Sequence, residues 1–258
     1  YYGLFGDRIF EDFESKFLKK NIQGALVMAV FNPFNWFKIF SGTFGRSDLS
    51  AEYYDKHVFE GKTFGDMAAR KGPVIVINAT DMSYGTRIAF AQEAFDLICS
   101  DLSEYPVARA AAASSAVPMA LTPITLRNYA GTCGYKMPEG FEEILKSRTV
   151  SERQFYLANN VSVYLDSEKK RYIHLVDGGV ADNLGLRAIL DRIIGRGSIL
   201  ESIKGAPAEK VHKVVLIVVN AETEPDKKWD RIESIPPFGA MASSYSSIGI
   251  ERYNEETL

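Results

Sequence analysis

An aspartate followed by two glycines, Asp177-Gly178-Gly179, is the segment of this sequence best suited to chemistry. The residues before it, 172–176, are apolar enough to form a central strand, and the apolar spacing of a helix begins at Leu186. We therefore expect a strand, a tight turn and a helix. Asp177 would lie at the carboxyl end of the strand, where sites collect in α/β sheets. A carboxylate in that position can serve as a general acid or base.

The two glycines predict the shape of this turn. Because they lack Cβ atoms, they can adopt positive φ and leave the carboxylate of Asp177 facing a cleft. Asp182 or Asn183 should then cap the following helix, and Asn183 is also a candidate for lining a substrate pocket. Asp-Gly is common in ordinary turns, so the motif taken alone favours a structural role.

A second unusual segment, PVARAAAASSAVP at residues 106–118, predicts a helix of small residues that ends at a serine pair. Its alanine run allows close approach to a sheet, and Pro118 prevents the helix from continuing. Ser114 and Ser115 are substrate-pocket candidates. At the end of a closely packed helix, we expect their hydroxyls to bond backbone carbonyls or to line the pocket rather than to attack an ester.

The segments ASSAVP, LTPITL and HLVDGGVADNLGL occur in this order and together resemble the second half of the patatin-like phospholipase domain. Residues 78–81 and 87–90 lie where similar sequences carry comparable elements, so the resemblance extends from about Gly72 to Leu190. It implies a patatin-like three-layer α/β/α fold and hydrolysis of lipid acyl esters. It also implies a serine–aspartate dyad in which Asp177 is the acid/base and Gly178 and Gly179 complete the motif.

The nucleophile of such a dyad does not appear in the sequence, because none of the 258 residues forms a G-x-S-x-G motif or a glycine-rich oxyanion segment. The resemblance therefore implies a nucleophilic serine upstream of Tyr1, in a chain cut just after it. The helical pattern at residues 248–256 reaches Leu258 without a stop signal, so we expect the C-terminus to be cut as well. The fragment alone is expected to be inactive.

Other serines and the histidines are poorer candidates. The segment GRSDL around Ser47 lacks the second glycine and has no buried strand before it, so a surface turn is expected. His174 shares a strand alternation with Val176 and should point away from the face that Asp177 uses. The other two histidines have no acidic neighbours in a metal-binding pattern, and neither a metal nor a cofactor is predicted.

Two apolar, β-branched segments predict strands of a central sheet. Residues 74–77 follow a Gly-Pro turn, and residues 211–219, VHKVVLIVV, are apolar on both alternations. Between these two segments in the chain, apolar residues at helical spacing from Leu186 to Ile194 predict a helix with one apolar face. Strands buried on both faces indicate an α/β fold with a mostly parallel central sheet flanked by helices, here as a single domain over residues 1–258.

The bulk composition narrows the classes of partner. With 30 basic and 33 acidic side chains the net charge is −3, which argues against nucleic acid. The expected partner is a lipid or other acyl-ester substrate. No apolar run approaches the roughly 20 residues of a membrane-spanning helix. Cys99 and Cys133 fit either buried thiols or one disulfide.

The most apolar stretch, GALVMAVFNPFNWFKIF at residues 24–40, is interrupted in its middle by Asn32, Pro33 and Asn35. We expect a helix end followed by an irregular segment. Large apolar side chains are most often buried, which favours a core wall. In the alternative interpretation the stretch is a lid or a peripheral membrane surface, and the membrane-contact candidates are then Phe34, Trp36 and Phe37.

Three functional hypotheses stand beside one another. The favoured one is an active lipid acyl-ester hydrolase. A second is a catalytically inactive patatin-like domain that binds lipid or a protein, with which the missing serine is compatible. A third is an unrelated α/β protein in which Asp177 only caps a turn.

Overall fold

A computed structural model describes residues 13–69, 73–137, 140–146, 152–196, 213–220, 231 and 233–257. The chain divides into two compact units, Tyr1–Gly178 and Gly179–Leu258. The single domain expected from the sequence stays a prediction.

The first unit contains both helices and a small sheet. After a π-helix, Glu14–Leu18, its elements are α1 (Ile22–Phe31), α2 (Pro33–Ile39), α3 (Arg46–Tyr54), a second π-helix (Asp55–Phe59), α4 (Phe64–Ala68), β1 (Ile77–Asp81), β2 (Thr86–Phe90), α5 (Gln92–Leu97), a 3-10 helix (Leu102–Glu104), α6 (Val107–Ser114), β3 (Ile124–Arg127), α7 (Phe141–Lys146), α8 (Glu152–Tyr164) and β4 (Tyr172–Val176).

The sheet has four strands in the order β2-β1-β4-β3, and each neighbouring pair is antiparallel. The α/β class is confirmed, but the mostly parallel arrangement predicted from the sequence is not found among the described strands. The turn at residues 82–85 is too short for the crossover that parallel neighbours need, so β2 returns beside β1 as a hairpin.

The two apolar runs that suggested a parallel sheet do not form strands in the described parts of the chain. β1 begins only at Ile77, and Val74 before it is 89% exposed. Residues 213–220 are also outside any described strand, with Ile217 81% exposed, while residues 211 and 212 lie outside the description. An apolar run becomes a strand only beside a hydrogen-bonding neighbour, and none of the described strands pairs with either run.

The alanine-rich helix α6 is central to the first unit. It is packed against β1, β3 and β4 on the sheet side and against α3. Ala110, Ala112 and Ala113 are completely buried, because their small side chains allow the helix backbone to approach the strands closely. The predicted small-residue helix is therefore confirmed, and Ser115 is its C-cap.

A helical hairpin replaces the irregular segment expected after α1. Asn32 ends α1 and caps α2, since its Oδ1 accepts a hydrogen bond from the Phe34 amide at 3.1 Å and Pro33 occupies the first helical position. The polar residues thus start a helix instead of interrupting one. The core-wall interpretation is also wrong, because neither α1 nor α2 contains a buried residue and Phe37 is 86% exposed.

The second unit contains the helices α9 (Gly179–Asp182), α10 (Leu186–Arg196) and α11 (Phe238–Thr257). Asp182 caps α10, as predicted: its two carboxylate oxygens accept hydrogen bonds from the amides of Arg187 at 3.2 Å and Ala188 at 3.0 Å. The helical pattern predicted at residues 248–256 is confirmed as part of α11.

A disulfide joins Cys99 to Cys133, with the two Cα atoms 5.5 Å apart. It connects the chain after α5 to the chain after β3. Close by, the Tyr129 amide donates to the Ile98 carbonyl at 3.1 Å. The structure thus resolves the sequence alternatives in favour of one bridge.

Candidate functional site

The strand predicted to deliver Asp177 to a turn is present as β4. It is an inner strand of the sheet, between β1 and β3, and Leu175 and Ile173 within it are buried almost completely. Val176 pairs with Thr80 of β1, and Asp177 follows directly. The side chain of Asp177 is therefore placed at the end of a strand whose own position is fixed on both sides, and the residue is half-buried.

Three hydrogen bonds to main-chain atoms of the turn hold it in place. The Asp177 amide donates to the Ala116 carbonyl at 3.0 Å, and the Gly178 amide donates to the Ser114 carbonyl at 3.1 Å. The Thr80 hydroxyl donates to the Asp177 carbonyl at 2.7 Å. The last carbonyls of a helix receive no hydrogen bond from an amide of the same helix. Ser114 at the end of α6 and Ala116 just after it therefore provide acceptors for the amides of the turn.

Gly178 is required here for close approach rather than for positive φ. A Cβ at this position would collide with the Asn78 carbonyl oxygen and would lie 3.0 Å from the carbonyl carbon, while the Ser114 Oγ would be 3.4 Å away. Its φ lies outside the left-handed region, and Gly179 begins α9. The predicted positive φ is therefore wrong. The glycine lets the backbone of β1 pass directly beside the turn.

The remaining pocket candidates are placed differently from one another. Ser114 lies beside the turn: its carbonyl accepts from the Gly178 amide, and its Oγ would be 3.4 Å from a Cβ at Gly178. The Ser115 hydroxyl donates to the Ala111 carbonyl of its own helix at 2.9 Å. Asn183 is exposed in the second unit.

Ser47 is not in the surface turn expected from the sequence. It is completely buried in the first turn of α3, and its hydroxyl donates to the Thr122 carbonyl. A hydroxyl that is enclosed and engaged in this way is not available to a substrate. His174 has its Nδ1 3.0 Å from the Thr125 hydroxyl on the neighbouring strand. No group of acidic, histidine and cysteine side chains suited to a metal occurs among the described residues.

A buried polar cluster that the sequence did not reveal lies at the end of β1. Asp81 is completely buried, and its Oδ2 is 2.6 Å from the Lys170 ammonium and accepts a hydrogen bond from the Tyr164 hydroxyl at 2.7 Å. Burial raises the pKa of Tyr164, and the negative charge of Asp81 raises it further. The polar end of the segment NATD was a signal for Asp81, but its partners lie more than 80 residues away in the chain.

The described part of the first unit also has an open cavity of about 580 Å³, lined by residues that include Phe95, Tyr105, Arg109 and Tyr129. Arg109 is 2.7 Å from Asp48, which belongs to α3. Burial raises the pKa of Tyr105 to about 12, against the opposing effect of the nearby Arg109. No residue of the Asp177 turn lines this cavity, so it is not a substrate pocket for that aspartate.

Two of the segments that meet at the turn belong to the ordered resemblance: ASSAVP at the end of α6, and the segment with VDGG that begins in β4. The third, NATD in β1, lies where similar sequences carry a comparable element. A family model described as patatin-like phospholipase matches residues 2–190. The chain belongs to this family. Patatin-like phospholipases have an α/β fold and hydrolyse lipids, and the match covers every described element up to the first half of α10. Searches of curated proteins and of solved structures returned no match to the chain. Among the helices described for this patatin-like protein, none has the length and apolar character needed to cross a membrane.

Proposed function

We propose that this patatin-like protein hydrolyses acyl esters of lipids through a serine–aspartate dyad in which Asp177 is the acid/base. The observation that carries the proposal is the way the turn is held. The main chain of Asp177 is fixed by Ala116 and Thr80, and that of Gly178 by Ser114. A carboxylate that rises from a fixed backbone needs little reorganisation to accept a proton.

In the proposed reaction, the serine oxygen attacks the acyl carbon while its proton passes to the Asp177 carboxylate. The alcohol leaves with that proton, and an acyl-enzyme remains. Water then attacks the acyl-enzyme, Asp177 accepts a proton from the water, and the proton returns to the serine as the fatty acid is released. The sequence contains no G-x-S-x-G motif, so the proposal places the nucleophile upstream of Tyr1.

The test is Asp177→Asn in protein that carries the nucleophile segment, assayed with a soluble short-chain ester. We expect hydrolysis to fall by at least about 100-fold, since general-base catalysis contributes that much or more. Circular dichroism and the thermal midpoint should stay unchanged. Asp166→Asn is the matched control, because this aspartate lies in a turn after α8 and pairs with Lys169. Full activity of Asp177→Asn in a folded protein would contradict the role.

The second candidate function is a patatin-like domain that binds lipid or a protein without catalysis. The observation in its favour is the missing G-x-S-x-G motif. A fluorophosphonate probe separates the two functions, because it labels an activated serine nucleophile covalently. Labelling that is lost in Asp177→Asn supports the hydrolase, whereas a full-length protein that is never labelled supports the binding domain.

A lipid hydrolase meets its substrate at an interface, and we propose a peripheral membrane contact through Phe34, Trp36 and Phe37. Their exposures of 84%, 47% and 86% support this proposal. Aromatic side chains are suited to the boundary between headgroups and acyl chains.

A further inference from the structure

We infer that the helical hairpin formed by α1 and α2, together with Phe40, inserts into the surface of electrically neutral lipid membranes without requiring anionic headgroups. Five of its large apolar side chains are more than two-thirds exposed: Met28, Phe31, Phe34, Phe37 and Phe40. Four of these are phenylalanines at intervals of three residues. A concentration of exposed rings of this kind marks a surface that binds something apolar.

Two polar side chains of the hairpin, those of Asn35 and Trp36, are paired within it. The Trp36 indole donates to the Val30 carbonyl at 3.0 Å, and the side-chain Nδ2 of Asn35 donates to the Ala29 carbonyl at 2.8 Å. Both acceptors belong to the last turn of α1, where carbonyls otherwise need an outside partner. Insertion into a nonpolar environment is costly mainly when polar groups lose their partners. Insertion of the hairpin therefore carries less of this cost at Asn35 and Trp36.

Charge on the hairpin argues for neutral lipid. Between Asn21 and Gly45 the only ionisable side chain is Lys38. Its ammonium is 2.9 Å from the Glu52 carboxylate on α3, so the pair has no net charge. Attraction of a protein to anionic lipids needs several uncompensated basic side chains close to the surface. Insertion of rings does not depend on headgroup charge.

The hairpin is attached to α3 of the first unit. α1 packs against α3, and the Lys38–Glu52 pair ties α2 to the same helix. The exposed rings therefore belong to helices that are held to the rest of the first unit. The choice of lipid over another apolar partner rests on the proposed function, because a lipid hydrolase must reach substrate at a surface.

The experiment uses the two tryptophans, Trp36 and Trp229. In a Trp229→Phe background, Trp36 is the sole indole of these 258 residues. On addition of phosphatidylcholine vesicles we expect its emission to shift to shorter wavelength and to be quenched by brominated acyl chains. Replacing Phe34 and Phe37 with serine should lower the partition coefficient at least about tenfold, since each ring loses its apolar burial. Phe238→Ser is the matched control, because Phe238 is 71% exposed but lies outside the hairpin.

Added phosphatidylglycerol or high salt should change partitioning by less than about threefold. Three results would overturn the inference: no shift with vesicles, binding that requires anionic lipid and disappears in salt, or a hairpin variant that only converts an oligomer to a monomer. The last result would make the hairpin an interface between copies of the chain.

Asp177→Asn should bind vesicles like the parent. A parent protein that hydrolyses a soluble ester but does not bind vesicles overturns this inference alone. A parent protein that binds vesicles but hydrolyses no ester overturns only the proposed catalytic role.

Discussion

At the scale of single residues, the Asp177 turn is positioned by main-chain atoms from two other elements. The carbonyls of Ser114 and Ala116 accept from its amides, and the backbone of Asn78 passes so close that no Cβ fits at Gly178. Because these contacts involve the backbone, they do not depend on the side chain at position 177. A change of that side chain can therefore be read as a change in chemistry, whereas a change at Gly178 moves the turn itself.

Gly178→Ala tests this close approach. The new methyl group would overlap the Asn78 carbonyl, so β1 and β4 must separate or the turn must shift. We expect the free energy of unfolding to fall by about 1–3 kcal/mol, as for other overpacked interiors, measured by urea denaturation. Gly239→Ala is the control, since a Cβ at Gly239 would meet no atom within 4 Å. Equal stability of the two variants would show that the turn tolerates a side chain.

At the scale of elements, features that depend on neighbouring residues could be predicted from the sequence, whereas features that depend on distant residues could not. The extents of β4 and α6 and the Asp182 cap follow from residues that are neighbours in the chain, and each was predicted. Strand direction depends on which distant segment lies alongside, and apolar composition cannot specify it. The same limit explains the hairpin: its phenylalanines predicted burial, but burial requires a covering surface, and the described residues do not supply one.

The proposal that Asp177 is catalytic could be made from the sequence because its segment follows ASSAVP and LTPITL in the family's order. The physical role of the segments that meet at the turn becomes apparent only in three dimensions. NATD supplies the Thr80 hydroxyl, and ASSAVP supplies the carbonyls of Ser114 and Ala116. Neither role leaves a periodic pattern in the chain, since each depends on one backbone atom at one place.

The buried cluster at the end of β1 connects that strand to the chain just before β4, and Lys170→Met tests it. Lys170 is 5% exposed, so its removal leaves the completely buried Asp81 without its counter-charge. We expect a loss of about 3 kcal/mol or more in the free energy of unfolding. Lys169→Met is the adjacent control: Lys169 is 85% exposed in its pair with Asp166, and no measurable change is expected.

The double variant Asp81→Asn/Lys170→Met distinguishes a charge effect from a packing effect. Removal of both charges should recover much of the stability lost in Lys170→Met, because no buried charge is then left alone. If the double variant is as unstable as the single one, the Lys170 side chain stabilises the fold through packing, for example through its contact with the Tyr84 ring at 4.1 Å.

At the scale of the whole molecule, the disulfide restrains the first unit across its sheet. β2 and β3 are the two edge strands, and Cys99 and Cys133 lie in the chain that follows each of them. The bridge closes a loop with a sequence separation of 34 residues. The same segments also meet through a backbone hydrogen bond between Tyr129 and Ile98. A covalent bond and a hydrogen bond therefore join the segments that follow the two edge strands.

Replacing both cysteines with serine should destabilise the first unit chiefly through the unfolded chain, which gains the freedom that the closed loop denies it. For a loop of this length the expected loss is about 4 kcal/mol. Urea denaturation should show a lower midpoint for the double serine variant, and addition of a thiol reductant should lower the midpoint of the parent to the same value. The reductant should leave the variant unchanged, because it has no bridge to reduce. Mass spectrometry must show that the reductant has freed both thiols of the parent. If the urea midpoint of the reduced parent is then unchanged, loop closure does not stabilise the fold in solution. The hydrogen bond between Tyr129 and Ile98, with its surrounding packing, would then be sufficient to join the two segments.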